Sequence, residues 1–158
     1  MHQIGCSMHK TKWDMRYISL AQHVSLWSKD PSTKSGAVIV DKHNRVVSIG
    51  YNGFPQGIQD ADDLLKDRTK KLAMTIHAER NALIFAKQDL HDCTLYTYPI
   101  QCCSECTAMM IQAGITRHVS TSHMPAKWQD SFLIAQSMMS EANIKFDRYT
   151  LKEQYESL

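Results

Sequence analysis

Hydrophobic positions along the chain change their period several times, and each change marks an element. Tyr17, Leu20, Ala21, Val24 and Trp27 recur at spacings of three and four, which predicts one buried face of a first helix. That helix is expected to end before Asp30-Pro31, because the residue ahead of a proline is pushed out of helical geometry. Two short β-branched runs follow, Ala37–Val40 and Val46–Ile49, joined by the turn-forming Asp41-Lys42-His43-Asn44; together they predict a hairpin. Residues 51–74 are polar and aperiodic, a connection of the length that often carries function. Ala78–Lys87, rich in Ala, Leu, Glu and Arg, predicts a second helix. Thr94–Tyr98 reads as a third strand, and Cys103 opens a helix whose apolar face carries Met109, Met110 and Ala113. His118–Thr121 reads as a fourth strand, Phe132, Ala135, Met139 and Ala142 mark a further helix, and the alternation over Ile144–Tyr149 predicts a fifth strand.

This order of elements implies an α/β chain with a three-layer α/β/α fold around a five-stranded mixed sheet. The later strand–helix–strand units are expected to be right-handed crossovers, hence mostly parallel. At 158 residues the chain suits one domain spanning 1–158 with a full core. Its 43% hydrophobic and 22% charged residues are ordinary for a globular protein, and no apolar run nears the roughly 20 residues needed to cross a bilayer. The first residues show neither the basic nor the apolar region of a signal peptide. A cytoplasmic, reducing location is therefore expected, where cysteines serve as ligands or core, and no membrane partner. A net charge of +2 is too small to argue for a nucleic-acid surface. The densest basic run, Lys66–Lys71, is broken by Asp67 and follows Asp60, Asp62 and Asp63, so a solvated face is expected there.

Two short motifs turn a generic α/β domain into a candidate enzyme: His77-Ala78-Glu79 and Cys103-Ser104-Glu105-Cys106. One His and two Cys can hold Zn2+ with a fourth position open, the mark of a catalytic rather than a structural site. Two thiolates balance the dication, and zinc lowers the pKa of water at the open position to about 7. Glu79 would then carry protons and would not be a ligand. Cys103 and Cys106, at i and i+3, share a face if they open a helix, where the helix dipole favours thiolates. His77 and Glu79, at i and i+2, do not share a helix face and reach one metal only at the very start of a helix, so two helix N-termini should converge.

Taken singly, each motif has plainer explanations. C-x-x-C also serves as a redox pair or half of a closed zinc knot, for which Cys6, Cys93, Cys102 and His91 offer further ligands. Together and in this order they match the H-x-E…C-x-x-C signature of zinc-dependent nucleobase deaminases, which has Pro directly before the first Cys. Here that place is held by Cys102, and the nearest proline is Pro99. Cys102 and Cys106, at i and i+4, are thus a second possible register; Cys103 is chosen because it gives the i, i+3 pair.

Longer stretches resemble the cytidine deaminase superfamily over about residues 13–150, and within it the deoxycytidylate deaminase branch. They are Ser28–Ser32, Gly36–Val40, Gly50-Tyr51-Asn52-Gly53-Phe54-Pro55-Gln56-Gly57, His77–Ala82 and Cys103–Ile115. The His-Ala-Glu and Cys-x-x-Cys motifs mark the superfamily, whereas Gly50–Gly57 points to the branch. The ungapped distance from Cys106 to Ala113-Gly114-Ile115 supports the Cys103 register, with one residue inserted near Gln101.

The resemblance implies hydrolytic deamination of a deoxycytidine nucleotide, dCMP, to dUMP and ammonia. Activated water attacks C4 while Glu79 passes a proton to N3 and then to the leaving amino group. It further implies backbone contacts to the pyrimidine at Ala78 and Cys103, and a substrate contact at Asn52, otherwise a turn residue before Gly53. It implies a homohexamer activated by dCTP, with Mg2+ on the triphosphate, and inhibited by dTTP. Effector contacts would lie around Gly53, Gly57, Asp60 and Asp62. Lys34 is a candidate phosphate contact, set against an ordinary solvated lysine. Rival readings are a deaminase acting on dCTP, one acting on a base within RNA or single-stranded DNA, which needs basic and aromatic strand contacts, and a zinc module without catalysis.

Overall fold

A computed structural model describes the backbone of residues 2–150 and the side chains of residues 11–150. Its first helix, α1, covers His2–Ser25 and so starts earlier than the apolar spacing marks. The hairpin follows as β1 (Gly36–Val40) and β2 (Val46–Tyr51), antiparallel, with an irregularity between Ile39 and Val40. Next come helices α2 (Asp62–Lys66), α3 (Arg68–Met74) and α4 (Ala78–Ala86), and strand β3 (Thr94–Tyr98). Helix α5 (Ser104–Gln112), strand β4 (Arg117–Thr121), a 3-10 turn at Ala126–Trp128, helix α6 (Gln129–Glu141) and strand β5 (Lys145–Tyr149) complete the order.

The sheet runs β2-β1-β3-β4-β5. β1 is antiparallel to both neighbours, while β3, β4 and β5 are parallel, so the sheet is mixed as expected. β1 is buried along its whole length because alternate residues enter two different cores. Val38 and Val40 pack with Met15, Ile18 and Ala21 of α1, and Ala37 and Ile39 pack with Ala78, Ala82, Cys106 and Met110.

The stretch 51–74 departs from the irregular connection that its composition suggests. It holds α2 and α3, the latter capped by the Asp67 side chain accepting from the Lys70 N–H, and Gly53 pairs with Ile76 in an isolated bridge. Helices of five and seven residues are too short to show a hydrophobic period.

Two contacts fix the frame of the site. A Cβ on Gly50 would stand 2.3 Å from the Ala78 carbonyl and 2.5 Å from the Ala82 nitrogen, so only glycine lets α4 lie this close on β2. On the opposite face Asp14 of α1, fully buried, accepts from both terminal nitrogens of Arg117 and from the Tyr96 and Tyr149 hydroxyls, each at 2.7 Å. One carboxylate thus ties α1 to β3, β4 and β5.

Candidate active site

His77 is the N-cap of α4 and Cys103 the N-cap of α5, both in extended conformation. Their helices point N-termini at a common place, as the motif spacing predicts. His77 Nδ1 lies 3.7 Å from Cys103 Sγ and 3.3 Å from Cys106 Sγ, and the three donor atoms fall within 4.8 Å of one another. Zinc bonds of about 2.0–2.1 Å to nitrogen and about 2.3 Å to sulfur place tetrahedral N and S ligands about 3.6 Å apart. The spacing and the N, S, S donor set therefore fit Zn2+. His91, exposed, and Cys93 lie outside this cluster, and Cys6 lies outside the described side chains.

The electrostatics suit a cation. Hydrogen bonds from Cys106 and His77 push the Cys103 thiol down, toward the thiolate, while Cys106 is pushed up as the donor to Cys103. Zinc binding would displace these shared protons. Arg80, one helical turn past His77, donates from Nε to Cys106 Sγ at 3.3 Å and from Nη2 to Glu105 at 2.6 Å. Glu79, in the first turn of α4, is buried, and loss of solvent raises its pKa above the usual carboxylate range. A buried carboxyl with a raised pKa is suited to exchanging protons near neutral pH.

A cavity of about 110 Å³ is lined by His77, Ala78, Glu79 and Cys103 together with Asn52, Thr97 and Trp128, while Cys106 is buried outside the lining. The His77 ring stands edge-on to Trp128, 6.2 Å between centroids, and Trp128 stacks in turn on Phe132. Arg68, Lys71 and Lys127 also line it. Lys71 is neutralised by Asp30, 3.1 Å away, and bonded to Ser32 Oγ at 3.0 Å; Arg68 and Lys127 are exposed.

The profile of the cytidine and deoxycytidylate deaminase zinc-binding region matches residues 11–122. The chain belongs to this deaminase family. An uncharacterised deaminase from the luxG 3′ region of Aliivibrio fischeri is 41% identical over 138 residues, covering 85% of this chain and 92% of the relative. Deoxycytidylate deaminase of Mus musculus is 33% identical over 166 residues, with 96% and 89% covered. The dCMP deaminase of cyanophage S-TIM5, solved with dCMP and dUMP, has a TM-score of 0.66 at 20% identity, covering 84% of this chain and 93% of that one. That likeness is one of fold.

Within this deaminase, the residues singled out from sequence fall into two groups. His77, Ala78, Glu79, Cys103 and Asn52 all line the cavity, whereas Lys34 is exposed and outside its lining. The Asn52 amide accepts from the Ser35 N–H and donates to the Thr33 carbonyl, both at 2.8 Å, so it shapes the loop ahead of β1 as well as the wall. Gly53 exchanges backbone hydrogen bonds with Ile76, and Gly57 has φ +88°. Asp60 pairs with Lys29 at 3.1 Å, and Asp62 opens α2. These four positions are not in the cavity lining. The basic run before residue 72 is not simply a solvated face, since Lys71 is buried and Arg68 and Lys71, at i and i+3, turn the same side of α3 to the cavity. Sequence reasoning gave no role to Arg68, Lys71, Arg80, Lys127 or Trp128. Only Arg80, next to the His-Ala-Glu motif, carried a positional signal.

Proposed function

We propose that this protein hydrolyses dCMP to dUMP and ammonia. The observation that carries the reading is the make-up of one cavity lining: His77 and Cys103 of the His/Cys/Cys cluster, a buried carboxyl at Glu79, and the exposed cations Arg68 and Lys127. That lining offers partners both for a cytosine and for a phosphate. The names of the relatives, deoxycytidylate deaminase among them, support the same substrate.

His77, Cys103 and Cys106 would hold Zn2+, which supplies a Lewis acid that makes water nucleophilic near neutral pH. Ala78 and Cys103 meet the pyrimidine edge through their backbone groups. Glu79, protonated or ionised in turn, delivers a proton to ring nitrogen N3 and then to the exocyclic nitrogen, which leaves as ammonia. Trp128 gives the base an apolar wall.

The family resemblance extends the proposal to a homohexamer activated by dCTP with Mg2+ and inhibited by dTTP, with Gly53, Gly57, Asp60 and Asp62 at the effector site. Among the described residues no helix is long and apolar enough to cross a membrane, and we place the enzyme in the cytoplasm. Ammonia release from cytidine, dCMP, dCTP and single-stranded DNA, each with and without dTTP, tests the reading. Preference for dCMP, reduced by dTTP, is expected. Equal turnover of cytidine, or preference for dCTP or for the polynucleotide, would overturn it.

A further inference from the structure

Directly before its first ligand cysteine the deaminase signature has proline, which carries no backbone N–H. Cys102 has one, and the residue is fully buried. The structure provides an acceptor for it: the Cys102 N–H donates to His118 Nε2 at 3.2 Å. His118, on β4, is also fully buried, and its Nδ1 lies 2.9 Å from the Leu95 carbonyl oxygen. A carbonyl oxygen only accepts, so Nδ1 carries the proton and Nε2 is left as a bare acceptor. One neutral tautomer satisfies both contacts. The ring is clamped flat against Phe146, centroids 5.1 Å apart and planes 3° from parallel. Its acceptor therefore has a fixed position.

Cys102 directly precedes Cys103, which is the N-cap of α5 and one of the three donors of the cluster. Neither Cys102 nor His118 lines the cavity.

We propose that His118 is a positioning residue that does the work of the missing proline: the imidazole fixes the Cys102 backbone and, through it, the neighbouring Cys103 of the cluster. A hydrogen bond thus holds the segment between β3 and α5 where a proline would hold it by its ring. The effect on Cys103 rests on the zinc-holding role proposed above; the link between His118 and Cys102 does not.

Two measurements on the full-length, zinc-loaded protein test it. In a thermal-stability cycle, His118→Leu leaves the Cys102 N–H without an acceptor, and Cys102→Pro removes that N–H. The lost contact to Leu95 is common to both backgrounds and cancels in the cycle. His118→Leu is expected to lower Tm by about 5 °C or more in the native background and by clearly less beside Cys102→Pro. Equal losses in the two backgrounds would overturn the link between His118 and Cys102. Should His118→Leu not fold alone, its recovery by Cys102→Pro is the expected result, and failure of the double variant to fold refutes the coupling.

The second measurement is zinc affinity by chelator competition. His118→Leu should weaken it about tenfold, and adding Cys102→Pro should recover most of the loss. Unchanged affinity in His118→Leu, or no recovery in the double variant, would sink the positioning of Cys103. If the wild-type protein binds no zinc, the proposed metal site fails, while the stability cycle still decides the link between His118 and Cys102.

Discussion

Arg80 reaches the Cys106 sulfur with its Nε at 3.3 Å while the same guanidinium holds Glu105 at 2.6 Å. A hydrogen bond to a ligand thiolate withdraws charge from it and fixes its direction, and such outer partners are commonly worth about 10–100-fold in metal affinity. Arg80→Met is expected to weaken zinc binding by about tenfold in chelator competition. An unchanged affinity would show that the guanidinium serves only Glu105.

Glu79→Gln keeps the shape of the side chain and removes its proton-carrying group. Zinc content and melting temperature should stay close to wild type, since the exchange removes an ionisable group from a buried place. Ammonia release from dCMP should fall by about a thousandfold or more. Residual activity near wild type would exclude Glu79 as the proton carrier.

Arg68→Ala and Lys127→Ala probe the free cations of the cavity lining. Each should raise KM for dCMP by about tenfold, the range for a lost charged hydrogen bond, and leave cytidine turnover unchanged. A parallel loss on cytidine would mean that the two residues act on the shape of the cavity and not on a phosphate.

His118 governs part of the acid stability. Burial pushes its pKa down to about 4 from 6.5, so between those values the unfolded chain binds a proton that the folded chain does not. The stability it contributes is complete above about pH 6.5 and declines toward pH 4, by roughly 3 kcal/mol in all. Urea unfolding across that window should show His118→Leu with a shallower pH slope than wild type, by about one proton. Identical slopes would refute the assignment.

Asp14→Asn tests the opposite side of the sheet. The carboxylate compensates a largely buried guanidinium and accepts from two hydroxyls, and breaking such a buried pair costs about 3–5 kcal/mol. A loss near 3 kcal/mol in urea unfolding, with zinc affinity unchanged, is expected. A loss below about 1 kcal/mol would place Asp14 among ordinary surface pairs.

Much of this was legible in the sequence, for identifiable reasons. The five strands show themselves because β-branched runs such as Ala37–Val40 are short, dense and bounded by turn residues. The triad is legible because His77, Cys103 and Cys106 each sit at a helix start, where local spacing alone dictates geometry. Lys34 and Lys71 show the opposite case. Each is a lysine in a polar stretch, yet one is exposed and the other buried against Asp30. Which of them turns inward depends on how α3 docks, and a helix of seven residues has too few turns to record that in its pattern. The partnership of Cys102 with His118 is hidden for a related reason, since sixteen residues separate them and only the β3–β4 crossover brings them together.

Gly50 brings α4 so near β2 that even a methyl group is excluded, and Ser48 and Asn81 add hydrogen bonds across the same seam at 2.8 Å each. Helix and strand therefore move as one body, and His77 and Glu79 inherit the position of the sheet edge. Such a seam separates two jobs. His77 and Glu79 sit on the part of the molecule that is hard to alter, while Asn52, Arg68 and Trp128 meet the cavity from loops and short helices. Substrate preference can drift through those outer pieces while the chemistry stays anchored.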